Sequence, residues 1–87
     1  MAEWVGEIRF SDAVTSKLRS KHNLTPDQVR SAVACGQHDT AVWHDHPVYG
    51  RRLILRGSDL VGPILVYLRP IDTDDGVWQC LTAWRID

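Results

Sequence analysis

The sequence predicts an α+β fold in the order β-α-α-β-β-β-β, two N-terminal helices packed on an antiparallel sheet. Three observations predict it. Capped helical segments are confined to residues 11–36, the apolar spacing shortens towards two after Asp39, and Gly, Pro and Asp-Gly breaks divide the second half into short segments.

In the first segment, Glu3–Phe10, Trp4, Gly6, Ile8 and Phe10 alternate with Glu3, Val5, Glu7 and Arg9, the pattern of a half-buried strand. Asp12–His22 follows with Val14, Leu18 and either Lys21 or His22 at helical spacing, and Ser11 as N-cap. Asn23 interrupts. Next, Thr25 is the N-cap, Pro26 the N1 residue and Gln28 the N3 partner of a capping box, with Leu24 and Val29 as the hydrophobic staple. This second helix starts at Pro26, buries Val29, Ala32 and Val33, and ends near Gly36.

Four further strands are expected near Thr40–His44, Arg51–Arg56, Ile64–Arg69 and Val77–Arg85. The connections are short and include Asp75-Gly76, a tight-turn pair, which favours hairpins and an antiparallel sheet. Alternation in the last strand puts Trp78, Cys80, Thr82 and Trp84 on one face and Val77, Gln79, Leu81, Ala83 and Arg85 on the other.

A chain of 87 residues supports one hydrophobic core, so residues 1–87 are read as a single domain. With 44% hydrophobic and 24% charged residues it has the composition of a folded protein and not of a disordered segment. Most of the four tryptophans are expected in the core. The Met1–Phe10 stretch lacks the basic and apolar regions of a signal peptide, and no apolar run approaches the ~20 residues of a membrane span. A cytoplasmic location without membrane attachment is therefore expected. Cys35 and Cys80 have no zinc or redox spacing and are read as buried small hydrophobes.

The net charge of −1 argues against binding nucleic acid by bulk electrostatics. The distribution is uneven, however. Lys17, Arg19, Lys21, Arg30, Arg51, Arg52 and Arg56 face only Asp27, Asp39 and Asp45 in the same stretch, which permits an anion-binding face; scattered surface charge explains the same residues.

Lys21-His22 ends the first helix, where the dipole favours cations. A charged His22 there has the chemistry of a general acid or a phosphate contact; the alternative is a charge pair satisfying helix carbonyls. Tyr49-Gly50-Arg51-Arg52 leads into a strand whose alternation sends the two arginines to opposite faces, so one at most shares a face with Arg56. Arginine's planar fork suits phosphate recognition and the charge of a phosphoryl transition state, but arginines also protect strand edges. Arg85, at the end of the last strand, is read as a cleft residue or as a solvated terminus. His38, His44 and His46 make only a weak metal signal, because no third ligand is fixed by spacing. No metal or other cofactor is expected. Nucleophile-elbow hydrolases, phosphate-loop enzymes, zinc deaminases and zincins drop out for want of their motifs.

Four stretches, taken in order, resemble the BrnT toxins, relatives of RelE in type II toxin–antitoxin systems. They are Lys21-His22-Asn23-Leu24 (family K-H-G-hydrophobic), Gly50-Arg51-Arg52 (G-R-aromatic), Gly62–Leu68 (a G-hydrophobic strand) and Thr82-Ala83-Trp84-Arg85 (S-A-R). Trp84 stands in register with the family's arginine, and Arg85 follows one place later, on the opposite face by pleating. Trp84 is read as a core residue or as a stacking platform for an RNA base. The resemblance implies a RelE/BrnT-like domain acting as a toxin: a metal-independent endoribonuclease, a hydrolase of mRNA free or on the ribosome, which inhibits translation and is neutralised by a cognate antitoxin. His22, Arg51 and Arg85 are the catalytic residues expected under this reading, and Lys21, Tyr49, Arg52 and Arg56 the RNA-binding ones. The alternative is a catalytically inactive relative, a phage or regulatory accessory module that binds a protein partner through an apolar patch including Trp4 or Trp43. A homodimer paired through edge strands is a further option.

Overall fold

The computed structural model describes residues 4–48 and 50–86, so Glu3 and Tyr49 lie outside the described residues. The elements are β1 (Glu7–Arg9), α1 (Asp12–His22), α2 (Pro26–Val33), a 3-10 turn (Ala34–Gly36), β2 (Thr40–His46), β3 (Gly50–Ser58), β4 (Pro63–Asp72) and β5 (Val77–Arg85). They form two helices and one five-stranded sheet in the order β1-β5-β4-β3-β2.

The caps act as the sequence predicts. Val14 N–H donates to Ser11 Oγ at 3.1 Å. The Thr25–Gln28 capping box closes in both directions, Thr25 N–H donating to Gln28 Oε1 at 2.9 Å and Gln28 N–H to Thr25 Oγ1 at 3.3 Å. Asn23 ends α1 in the left-handed region (φ 53°), a conformation asparagine tolerates better than most residues. The α2 helix stops at Val33, short of Gly36. Cys35 also turns left-handed (φ 55°) and donates its N–H to Val5 O at 2.7 Å, so the chain leaves the helical path there.

The sheet is mixed, which corrects the antiparallel expectation. β2 to β5 are antiparallel neighbours, but β1 runs parallel to β5, pairing Glu7, Ile8 and Arg9 with Val77, Trp78 and Gln79. The helical pair carries the chain back across the sheet from β1, and the crossover makes the parallel pairing possible. β1 is also shorter than its alternation suggests. Gly76 O accepts from both Gly6 N and Glu7 N at 2.9 Å, so residues before Glu7 follow the β4–β5 turn instead of a ladder. Val5 is consequently buried and Trp4 is 55% exposed, the reverse of strict alternation.

One sheet face is covered, α1 packing on β5 and α2 on β3 and β4. The core joins Leu18, Leu24, Val29 and Val33 of the helical region to Leu53, Leu55, Val66, Leu68, Trp78 and Ala83 of the sheet. Trp78 is the largest fully buried side chain, and its Nε1–H donates to Trp4 O at 2.9 Å. Of the other tryptophans, Trp43 and Trp84 are half-buried, so the expectation of mostly core tryptophans fits Trp78 alone. Cys80 is in the core, where burial pushes its thiol up to about 12 against the pull of Lys17. Cys35 is exposed, contrary to expectation, because the left-handed turn carries it out of α2. No helix is long and apolar enough to cross a membrane among the described residues.

Candidate nucleic-acid interface

Register and burial assign the two sheet faces. Leu53–Leu68 and Leu55–Val66–Ala83 lie beneath the helices, so the intervening positions open to the other side. Across that open face run His44–Arg52, Val42–Ile54–Tyr67–Thr82 and Thr40–Arg56–Leu65–Trp84, with Arg69–Gln79 beyond. These positions hold three arginines and no carboxylate; the acids of the open face, Glu7 and Asp72, pair with Val77 at the β1 end, beyond Arg69–Gln79.

The β4–β5 bulge sets this pattern. Tyr67 pairs with Thr82 but Leu68 with Cys80, so Leu81 is the extra residue and the side chains after it exchange faces. Ala83 thereby joins the core, and Thr82 and Trp84 turn to the open side, where alternation alone groups Trp84 with Trp78.

The open face carries a continuous row of aromatic and cationic groups. The His22 ring, on the last turn of α1, lies 6.3 Å from Trp84. Trp84 lies 5.1 Å from Tyr67, and the Arg52 guanidinium sits 4.7 Å over the Tyr67 ring. Arg52 Nε–H reaches His44 Nδ1 at 3.4 Å, and the His44 and His46 rings are 6.5 Å apart. The row thus crosses from α1 through β5, β4 and β3 to β2. Stacked rings interleaved with cations are what single-stranded nucleic acid requires: flat surfaces for bases and positive charge for the backbone.

The residues expected to form the site divide into three groups. His22, Arg52 and Arg56 belong to the open face or its rim, and Lys21 is exposed on the same last turn as His22. Arg51 is on the opposite face, its guanidinium 4.4 Å over the Trp43 ring and 3.9 Å from Asp45. Arg85 is also on the far side of the strand from Trp84, as pleating predicts, and is held in a bidentate pair with Asp59 at 2.9 and 2.8 Å. The single cleft joining Arg51, Arg52 and Arg85 to His22 is therefore not formed. Tyr49 lies outside the described residues. Neither His44 nor Tyr67 is among the expected site residues; both stand at alternate positions opposite Arg52 and Ile54, a signal that only the strand pairing makes readable.

Asp59 is one of the most tightly held groups in the protein. Besides Arg85, its Oδ1 accepts from Val61 N–H at 2.9 Å and Gly62 N–H at 3.1 Å, which fixes the β3–β4 loop. The Arg85 guanidinium, helped by these two amides, holds the carboxyl well below the usual carboxylate range although burial opposes it. Asp59 raises Arg85 in turn. A depressed carboxyl stabilises the fold fully above the ordinary carboxylate pKa of about 4, and that contribution is lost as pH falls below it. Asp59→Asn is expected to lower Tm by roughly 5–10 °C at neutral pH and to flatten its decline between pH 4 and pH 2. Melting curves across that range check this.

His38 Nδ1 is buried without a hydrogen-bond partner, and His46 Nδ1 accepts from Val48 N–H at 3.1 Å. No group of three or more His, Cys, Asp or Glu is placed to hold a metal among the described residues. No protein-family model, curated protein or solved structure matches the chain.

Proposed function

We propose that the protein binds single-stranded RNA across the open face of its sheet and cleaves it without a metal, as the toxin of a toxin–antitoxin pair. The observation that carries this reading is the row His22–Trp84–Tyr67–Arg52–His44, which no carboxylate interrupts, the open face's Glu7 and Asp72 pairing with Val77 at its β1 end. The left-handed Asn23 also supports it, since it stands where the toxin motif Lys-His-Gly has the residue best suited to that backbone.

In the proposed chemistry the ribose 2′-oxygen attacks the adjacent phosphorus, the P–O5′ bond breaks, and a 2′,3′-cyclic phosphate and a 5′-hydroxyl result. Protons leave the 2′-hydroxyl and reach the 5′-oxygen through imidazole, with His22 as the candidate beside the stacking ring of Trp84. Arg52 and Arg56 offset the phosphate charge, and Lys21 extends the positive rim. The cognate antitoxin would act by covering this face.

A second reading is favoured by the fate of Arg51 and Arg85, which the toxin motifs mark as functional and which here are engaged away from His22. It is a catalytically silent relative that binds a protein partner, with the β3–β4 loop presenting exposed Leu60 and Val61. Inducing the chain in growing cells separates the two. Growth arrest with RNA cleavage, reduced about 100-fold or more in folded His22→Ala, supports the toxin. Normal growth and intact RNA with folded protein present support the silent relative.

A further inference from the structure

Four arginines, Arg9, Arg30, Arg51 and Arg85, each lie within 4.0 Å of a carboxylate. Arg52 is placed differently. Its guanidinium stacks on Tyr67 at 4.7 Å and its Nε–H is directed at His44 Nδ1 at 3.4 Å, so it is oriented from two sides by groups that carry no negative charge. Among the described residues no carboxylate pairs with it. Holding a long cationic side chain in one geometry costs rotamer freedom, and neither contact neutralises the charge. The unused edge of the fork, bearing the two Nη groups, matches two oxygens of a phosphate.

His44 completes the arrangement. An imidazole that accepts from Arg52 at Nδ1 has Nε2 as its donor toward a ligand. His44 is exposed on the open face, directly across the ladder from Arg52. The pair therefore offers a charged fork, backed by the Tyr67 ring, and an imidazole held beside it.

We infer that Arg52 and His44 form a phosphate anchor that grips an internal phosphodiester of the bound strand, at the end of the row remote from His22. This rests on the RNA reading above and deepens it: binding at the β2–β3 end sets which phosphate reaches His22.

The test uses a single-stranded oligodeoxynucleotide of about eight nucleotides, which lacks the 2′-hydroxyl and is bound without being cut. Its dissociation constant is measured against salt for the full chain and for variants with unchanged melting curves. Arg52→Gln is expected to weaken binding about tenfold and to reduce the log–log salt slope by about 0.7, one phosphate's share on a single strand. Arg52→Lys keeps the slope and loses affinity, because charge without the fork remains. His44→Ala weakens binding several-fold at unchanged slope, and His44→Gln restores part of it with an amide N–H. In parallel, inorganic phosphate should shift the side-chain NMR signals of Arg52 Nε and His44. If the wild type binds the oligonucleotide while Arg52→Gln and His44→Ala titrate like it, the anchor is wrong and the RNA reading stands. If the wild type binds no oligonucleotide, the RNA reading fails and the phosphate titration decides the anchor: shifts at both residues uphold it, and their absence overturns it.

Discussion

Gly57→Ala is expected to melt roughly 15 °C below the wild type, a loss of about 3 kcal/mol. A Cβ at Gly57 would sit 2.0 Å from Ala32 O, 2.8 Å from Ala32 C and 3.0 Å from a Val33 methyl. The first two are backbone atoms of α2, which no side-chain rotation can move aside. The helix would have to lift from β3, opening the packing of Val29, Ala32 and Val33 on the sheet. Ser58→Ala, at the exposed neighbouring position, serves as the control and is expected to melt within about 3 °C of wild type. Equal melting of Gly57→Ala and wild type would mean that α2 does not press on β3 as described.

The second large effect is expected at Trp84, where truncation to alanine should weaken single-stranded RNA binding roughly 10–100-fold. Trp84 is half-buried between His22 and Tyr67, so alanine removes both a stacking surface and the link between the α1 end and the sheet. Trp84→Phe keeps a flat ring and should retain most of the affinity. Filter-binding or anisotropy titrations, with melting curves to show that both variants fold, check the prediction. Equal losses in the two variants would assign Trp84 to packing and not to stacking.

Local chemistry is legible along the chain wherever it is written in adjacent residues. The Thr25–Gln28 box starts α2 at Pro26, and the 11 residues Asp12–His22 form α1 with the bounds that Ser11 and Asn23 dictate. The strand pattern after Asp39 also reappears, each of β2, β3 and β4 extending somewhat beyond its apolar run. What adjacent residues do not encode is pairing. Nothing in Glu7–Arg9 specifies its distant parallel neighbour Val77–Gln79, and no local signal announces the bulge at Leu81 that exchanges the faces of β5.

The same division runs through the candidate site. Alternation by itself separates Arg51 from Arg52 and places Arg85 opposite Trp84. It leaves unstated which arginine finds an acid. Asp59, 26 residues before Arg85, carries no local signal of its role, which depends on the β3–β4 loop folding back to β5. In sequence His44 reads only as a weak metal ligand beside His46, since its partner Arg52 is brought to it by the β2–β3 register. Cys35 reads as a helical, buried cysteine, and the left-handed turn that exposes it has no glycine at that position to announce it.

Backbone amide NMR of the uniformly labelled protein, titrated with a short single-stranded RNA, tests the central claim most directly. Shifts concentrated at Arg52, Arg56, Tyr67, Trp84 and the His22 end of α1 are predicted. Shifts confined to α2 and the Leu60–Val61 loop, or no shifts at all, would contradict the assignment of the open face to RNA.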